Sequence, residues 1–222
     1  MQETIEEFVA RIGEINLYLS FLKKFEDGII KNFFKKEEMN NILKSNCFLM
    51  LYNLIESTFI NGIDILYNIL KTNNHKYQDI SDKLKDIWFN YSFKKSFDPN
   101  SHFNTYKTKA YKVIDSILKK ETIKMDRKAI GLDGNLDCEN IMKTCNSHGI
   151  DLNVSNKKEG GAILHIIKLK RNDLAHGAIS FSECGKDFSY QDLKKYKNEI
   201  MIFLYGYIKS LKEYIDKEEY LI

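Results

Sequence analysis

The sequence predicts an all-α protein, and three observations lead to this fold class. The 222 residues contain one proline, Pro99, and eleven glycines, so few residues interrupt helices. Apolar side chains recur three and four residues apart through long segments, which places them on one face of a helix. Hydrophobic residues at 43% and charged residues at 29% are typical of a folded protein in water. We therefore predict an antiparallel bundle of long helices with additional short helices, folded as a single domain over residues 1–222.

Seven helices are predicted from this spacing, and turn-forming residues separate them. Asp27-Gly28 predicts a break in the first helix. The stretch around Pro99 predicts a loop, because proline lacks a backbone donor and the neighbouring Asp, Asn and Ser residues favour turns. The predicted helices cover residues 4–34, about 38–70, from Tyr77 to about 91, 103–125, 137–148, 157–176 and 191–214.

Capping residues set the boundaries of the later helices. Asp137 is expected to cap the fifth helix and Gly149 to end it, after a turn over residues 131–136. Asn156 followed by Glu159 resembles a capping box that opens the sixth helix. Residues 179–190 are polar and contain turn residues, which predicts a hairpin-like loop before the last helix.

Composition excludes several classes of protein. The net charge of +3 is mild and does not by itself indicate a nucleic-acid-binding protein. Four cysteines in a chain of this size favour reduced thiols in a cytosolic protein. The N-terminus is acidic and amphipathic, unlike a signal peptide, and the most apolar run, residues 47–54, is too short to span a bilayer. We expect a cytoplasmic protein without a membrane partner.

The segment from Arg171 to Gly177 is the most informative part of the chain. Of the 34 basic residues only three are arginine, namely Arg11, Arg127 and Arg171, so lysine is used wherever a bare positive charge suffices. A guanidinium offers a planar, permanently charged fork that binds two phosphate oxygens at once. Arg171 precedes His176 by five residues, and Gly177 is expected to end their helix. This combination indicates phosphate chemistry.

Helical geometry constrains how these residues act together. Five residues place Arg171 and His176 about 140° apart around the helix axis, whereas Asn172 and His176 share a face. Pairing two copies of the helix about a two-fold axis would bring each histidine to the partner's arginine. The helix dipole favours a cation at His176, a histidine suits acid–base catalysis, and Asn172 could orient the imidazole or hold a phosphate oxygen. Spacing alone also fits a simple cap on a solvated surface, and favours it.

The pattern Arg171-Asn172, three residues, His176 resembles the signature of the HEPN superfamily (higher eukaryotes and prokaryotes nucleotide-binding). Three further stretches resemble a prokaryotic subgroup of it, the MAE-type, and together they extend from about residue 40 to 215. These stretches are Leu51-Tyr52-Asn53-Leu54-Ile55-Glu56-Ser57, then Gly134-Asn135-Leu136-Asp137 followed by His148-Gly149-Ile150, and the run through Gly177, Ser180-Phe181, Glu183 and Gly185.

The resemblance implies a HEPN-like helical bundle that acts as a metal-independent endoribonuclease. In such an enzyme both motifs of a homodimer line one cleft, and cleavage leaves a 2′,3′-cyclic phosphate and a 5′-hydroxyl. The implied catalytic residues are Arg171, Asn172 and His176. The implied role is that of a toxin or anti-phage effector with an antitoxin or inhibitor partner. Some members of the superfamily only bind RNA or proteins, so a non-catalytic RNA-, nucleotide- or antitoxin-binding dimer, or a structural helical dimer, are the alternatives.

Other polar residues are candidates for binding substrate or supporting the motif. Asn53 and Glu56 interrupt an otherwise apolar helix and either face the cleft, brace the motif helix or belong to a solvated polar face. Lys168 and Lys170 flank Arg171, and Arg127 lies between lysines, so both clusters could attract RNA, although isolated lysines are usually only solvated.

Metal and cofactor sites are not predicted. Cys138, Cys145 and His148 lie seven and three residues apart, but the usual zinc spacing and a fourth ligand are missing, and packing as buried thiols is favoured. His165 lies among isoleucines and is expected in the core or at an interface. Cleavage of RNA needs no metal when the substrate's own 2′-hydroxyl is the nucleophile.

Overall fold

The structure is a computed structural model, and it describes residues 1–30, 35–94, 103–131 and 135–222. Within these ranges the chain forms eight α-helices, a 3-10 helix and two isolated antiparallel bridges, without a strand, and none of the helices is long and apolar enough to cross a membrane. The predicted all-α class is therefore confirmed. The helices are α1 (Gln2–Glu26), α2 (Lys36–Thr72), α3 (Asp82–Lys94), α4 (Phe103–Leu118), α5 (Cys138–His148), α6 (Lys157–Ala175), α7 (Phe181–Lys186) and α8 (Tyr190–Asp216), with the 3-10 helix at Arg127–Ile130.

Several predicted boundaries are present in the structure. Asp27 caps α1, and Gly28 follows with a left-handed φ of +74°. At the start of α5, the Asn140 N–H donates to Asp137 Oδ1 at 3.0 Å, and Gly149 follows the helix with φ +86°. The loop predicted around Pro99, and residues 132–134 of the predicted turn, lie outside the described residues.

Two predicted helices are too long, because backbone pairing replaces their ends. Helix α3 begins at Asp82 and not near Tyr77, since Ile80 forms an antiparallel bridge with Leu221. Helix α4 ends at Leu118 and not near residue 125, since Lys120 has a left-handed φ of +53° and residue 122 then bridges to residue 76. Apolar residues continue past both helix ends, because the paired segments bury Ile80 and Ile123.

Two predictions on either side of α6 are wrong. Asn156 is the N-cap residue, but its side chain accepts no hydrogen bond from the first turn of α6. Its amide Nδ2 donates instead to the Glu199 carbonyl and to Glu199 Oε2, each at 2.8 Å. The capping box instead opens α7, where Ser180 Oγ and Glu183 N–H, and Glu183 Oε2 and Ser180 N–H, are paired at 3.2 Å. Residues 181–186 are therefore helical, and no hairpin forms there.

The chain divides into two compact units. The first consists of Met1–Phe59, Asn135–Ile141 and Asn153–Ile208, and the second of Ile60–Gly134, Met142–Leu152 and Lys209–Ile222. That residues 1–222 form one domain remains a prediction.

The first unit is built on large buried aromatic side chains from α1, α2 and α8. Tyr207 is fully buried against Phe59, with ring centroids 4.9 Å apart, and its hydroxyl donates to the Phe59 carbonyl at 3.0 Å. Helix α7 packs tightly on α2, because a Cβ atom at Gly185 would lie 1.9 Å from the Asn41 carbonyl oxygen. This unit carries the motif helix α6.

The second unit contains the other ends of α2, α5 and α8 together with α3 and α4. Its core includes Leu66, Tyr67 and Leu70 from α2, all nearly inaccessible to solvent. Tyr214 of α8 donates a hydrogen bond from its hydroxyl to the His148 carbonyl at 2.6 Å. Polar groups in this unit are thus used to join α8 to the end of α5.

Candidate active site

Helix α6 ends in a Schellman motif at His176-Gly177. His176 is the C-cap residue, and Gly177 follows with φ +68°, a conformation that glycine adopts without steric cost. The Gly177 N–H donates to the Leu174 carbonyl at 3.3 Å and the Ala178 N–H to the Asp173 carbonyl at 2.8 Å. These bonds fix where α6 stops and leave His176 exposed at its tip.

Arg171 is half-buried on the last turns of α6, and its guanidinium is held on two sides. The Cζ atom lies 4.5 Å from the centroid of the Tyr52 ring, within the range of a cation–π contact. The Nη1 group donates to Oδ1 of the adjacent Asn172 at 3.0 Å. The described residues accept no hydrogen bond from Nε or Nη2, so these two donors can bind an oxyanion.

A chain of side-chain amides continues from Arg171. Because a guanidinium only donates, the Asn172 atom facing it must be the amide oxygen, which turns Nδ2 to the other side. There Asn172 Nδ2 donates to Oδ1 of Asn135 at 2.8 Å. The oxygen and the nitrogen of the Asn172 side-chain amide are therefore bonded to Arg171 and Asn135, whereas the sequence allowed Asn172 either to orient the imidazole or to hold a phosphate oxygen.

The Tyr52 side chain also belongs to this group of residues. Its hydroxyl oxygen accepts a hydrogen bond from the Leu136 N–H at 3.1 Å, and the ring lies under the Arg171 guanidinium. Burial raises the pKa of the Tyr52 hydroxyl, and the charge of Glu56 acts in the same direction. The ring thus remains a neutral platform for the cation.

Lys168 forms an ion pair one turn before Asn172. Its Nζ lies 2.6 Å from Oδ2 of Asp137, and the two side chains are only 16% and 11% exposed. Burial alone would raise the pKa of the Asp137 carboxyl, but hydrogen bonds from Lys168 and from the Asn140 N–H hold that pKa below its usual value. Lys168 therefore anchors the segment before α5, a use that the sequence did not predict.

The other predicted supporting residues of the first unit lie around this group in different environments. Lys170 Nζ lies 5.7 Å from the centroid of the Phe188 ring, so its charge sits over an aromatic face. Asn53 is exposed on α2, and Glu56 is half-buried near enough to Tyr52 to act on its pKa. Glu56 is thus part of the motif's surroundings, while Asn53 faces solvent.

Arg127 belongs to the second unit and has protein partners there. It forms an ion pair with Asp64, and its Nη2 donates to Asn61 Oδ1 at 2.9 Å. Two polar residues of α2 therefore hold the 3-10 helix in place. Whether Arg127 binds RNA stays a prediction.

The residues weighed as metal ligands lie on α5. Among the described residues, no three His, Cys, Asp or Glu side chains are grouped as metal ligands would be. Cys145 is buried, and burial raises the pKa of its thiol to about 12. His148 is also buried, and its ring nitrogens are engaged by the Tyr67 hydroxyl and the Thr144 carbonyl, each at 2.7 Å.

From residue 162 to its end, α6 carries a stripe of uncharged side chains on its exposed face. The stripe is spaced alternately three and four residues apart, its members are exposed or half-exposed, and its leucine is 45% exposed. His165 belongs to this stripe and is not in the core, so the interface alternative for it remains. The stripe, called here the α6 stripe, consists of Ala162, His165, Leu169, Asn172 and His176.

Comparison with known proteins identifies the family. The profile of the HEPN family described as MAE_28990-like matches residues 1–220. The chain belongs to the HEPN family. No curated protein and no solved structure matches it. HEPN domains are often ribonucleases, and the predicted membership and MAE-type subgroup are confirmed.

Sequence reasoning missed two residues that touch the HEPN motif, Tyr52 and Asn135. They are separated from their partners by long stretches of chain, 84 residues between Tyr52 and Leu136 and 37 between Asn135 and Asn172. A signal was available, because both lie in segments that resemble the MAE-type subgroup. Polar or aromatic residues shared within such segments are candidates for contact with the motif.

Proposed function

We propose that this HEPN protein is a metal-independent endoribonuclease whose active site is completed by a second copy of the chain. The observation that carries the proposal is the state of Arg171. Its guanidinium is fixed by Tyr52 and Asn172, while two donor groups that have no partner among the described residues are offered to a phosphate, on the same helix end as an exposed histidine.

The need for a second copy follows from the geometry of α6. Arg171 starts from the buried side of the helix and His176 from the α6 stripe, about 140° away around the axis. The bond to Asn172 draws the guanidinium towards one edge of that stripe. Two α6 helices packed stripe to stripe about a two-fold axis would place each His176 opposite the partner's guanidinium.

The proposed chemistry is an internal transfer within the RNA. The 2′-hydroxyl oxygen attacks the adjacent phosphorus, the bond from phosphorus to the 5′-oxygen breaks, and the products are a 2′,3′-cyclic phosphate and a 5′-hydroxyl. His176 takes the proton from the 2′-hydroxyl or gives one to the leaving 5′-oxygen. Arg171 stabilises the charge on the phosphate oxygens, and Asn172 orients the guanidinium.

Cleavage of RNA in EDTA tests the mechanism. We expect His176→Ala to lower the rate by about 10²–10⁴-fold and Arg171→Ala by about 10²–10³-fold, the usual effects of removing an acid–base group and an oxyanion donor. Undiminished cleavage by either variant, or a strict need for divalent metal, would refute the proposal. RNA binding by both variants, with no cleavage even by the wild type, would favour the binding-module alternative.

Mixing the two inactive variants tests whether the site is composite. A heterodimer of Arg171→Ala and His176→Ala chains has one intact site if the two residues come from different subunits. Complete exchange at equal amounts makes half of the dimers heterodimeric, so activity should return to about a quarter of wild type. Persistent inactivity of a demonstrated heterodimer would show that both residues act from the same chain.

The position of the interface is tested by charge on the α6 stripe. Leu169→Glu should yield monomers in light scattering and abolish cleavage, because it buries a carboxylate at the proposed contact. Leu17→Glu is the matched control, since Leu17 on α1 is even more exposed. A dimer that survives Leu169→Glu unchanged would place the interface elsewhere.

The biological role proposed for the enzyme rests on the family resemblance. A toxin or anti-phage effector restrained by an antitoxin or inhibitor should arrest growth when expressed alone, and His176→Ala should abolish the arrest. Equal growth of cells expressing wild type and variant at matched levels would count against that role.

A further inference from the structure

We propose that Tyr52 and Asn135 are positioning residues that hold the Arg171 guanidinium in one orientation, closing a ring of contacts in which neither touches substrate. The catalytic role of the two residues rests on the proposed function, whereas the ring of contacts rests on the geometry. The ring runs from Arg171 to Asn172, Asn135, Leu136 and Tyr52, and back to Arg171.

The first argument is that the ring closes through two adjacent residues of one segment. Asn135 accepts from Asn172 at 2.8 Å, while the N–H of Leu136 donates to Tyr52 at 3.1 Å. One segment therefore supports both residues that hold the guanidinium, namely Asn172 at its edge and Tyr52 against its planar face. A displacement of this segment would loosen both restraints together.

The second argument is that the segment itself is firmly seated. Asn140 closes it internally, donating from Nδ2 to the Asn135 carbonyl at 2.6 Å and from its N–H to Asp137 at 3.0 Å. The buried Asp137–Lys168 ion pair then attaches it to α6. Lys168 and Asn172 are four residues apart on one helix face, so the segment is tied to α6 at two successive turns.

The third argument concerns the direction of each donor. Arginine has no acceptor, so its contact with Asn172 fixes which end of that amide faces Asn135. Position 135 must then present an acceptor, and an aspartate could replace the asparagine while an alanine could not. The directions of these hydrogen bonds leave Nε and Nη2 of Arg171, which have no acceptor among the described residues, for a phosphodiester. An arginine side chain that rotated freely would present these two donors only part of the time.

The test compares four variants with wild type and with Arg171→Ala in RNA cleavage. Asn135 is exposed, so Asn135→Ala should fold normally, and we expect kcat to fall about 10–100-fold with KM changed far less. Asn135→Asp should restore most of kcat because it keeps the acceptor. The double variant Asn135→Ala/Arg171→Ala should be no slower than Arg171→Ala alone, since Asn135 acts only through the arginine. Asn68→Ala is the matched control, because it removes an exposed amide on α2 in the second unit, and its kcat and KM should equal those of wild type.

A second measurement is independent of catalysis. The chain has three arginines, so its side-chain Nε–Hε NMR spectrum contains three signals, and Arg171→Lys assigns one. In Asn135→Ala the Arg171 signal should show increased ps–ns motion, in Asn135→Asp it should stay rigid, and in Tyr52→Leu it should also lose its ring-current shift.

The outcomes separate this proposal from the proposed function. Wild-type kcat in Asn135→Ala, while Arg171→Ala is inactive, would overturn the positioning role. An Arg171 signal unchanged in Asn135→Ala would overturn the ring of contacts itself. Undiminished cleavage by Arg171→Ala would instead overturn the nuclease mechanism, and the NMR comparison would still decide whether Asn135 and Tyr52 fix the guanidinium.

Discussion

Two helices of this protein end in the same dipeptide with the same backbone geometry, yet their histidines lie in opposite environments. Helix α5 ends at His148-Gly149 and α6 at His176-Gly177, and both glycines have a left-handed φ. In both, the glycine N–H bonds three residues back and the next N–H bonds five residues back. His148 is 1% exposed, whereas His176 is exposed at a helix tip.

The residue that follows each glycine differs in size and burial in the same way as the two histidines differ in exposure. Ile150 follows the first and is buried, and Ala178 follows the second and is exposed. A large apolar residue at this position draws the end of a helix into a core, and a small one leaves it at the surface. The same local signal therefore yields a structural histidine in one unit and a candidate catalytic one in the other.

The partners of each histidine agree with these roles. The Thr144 carbonyl can only accept, so Nδ1 of His148 carries the hydrogen, and Nε2 accepts from the Tyr67 hydroxyl. Both ring nitrogens are thus satisfied by the protein. His176 has its imidazole in solvent, where a substrate or a second chain can reach it.

Replacement of each histidine by alanine should produce the largest contrast in stability. His148→Ala removes a buried ring and takes its hydrogen-bond partner from the buried Tyr67 hydroxyl, so we expect a loss of about 3 kcal/mol in the free energy of unfolding. His176→Ala should change it by less than about 0.5 kcal/mol. Urea unfolding of both variants measures the difference, and equal losses would contradict the comparison.

The dependence of stability on pH should sharpen the same contrast. Burial lowers the pKa of His148 from 6.5 to about 4, although the bond to Thr144 opposes this. Between these pH values the unfolded chain binds a proton at His148 that the folded chain does not bind. The contribution of His148 to the free energy of unfolding is therefore fully present above pH 6.5 and is lost as the pH decreases towards 4. From pH 7 to 5 the loss should be about 2 kcal/mol.

His148→Gln serves as the comparison for that measurement, because its amide can donate and accept but does not titrate in this range. The loss of unfolding free energy between pH 7 and pH 5 should be smaller in the variant by about the stated amount. A wild-type slope that persists in His148→Gln would mean that another group titrates there.

The same contrast between local and distant information explains what could be predicted from the sequence. Helix spacing and glycine endings depend on neighbouring residues, so α2, α5 and α8 were predicted nearly at their observed bounds, and Arg171 and His176 were recognised as a pair. Asn156 failed as a capping-box residue because Glu199, 43 residues away, takes its amide. Tyr52 and Asn135 were not predicted as contacts of the motif for the same reason, because contacts between residues far apart in the sequence leave no periodic signal.

Two ion pairs of different burial give the smallest expected effects. Lys168→Met leaves the Asp137 carboxylate, which is only 11% exposed, without its cation, and we expect a loss of about 1–3 kcal/mol in unfolding free energy. Arg127→Met removes a pair whose arginine is 64% exposed, and the loss should be about 0–1 kcal/mol. Because Asp137 anchors the segment behind Arg171, Lys168→Met should also slow RNA cleavage. Urea unfolding and cleavage assays on the two variants decide this, and an equal or greater loss in Arg127→Met would show that burial does not rank these pairs.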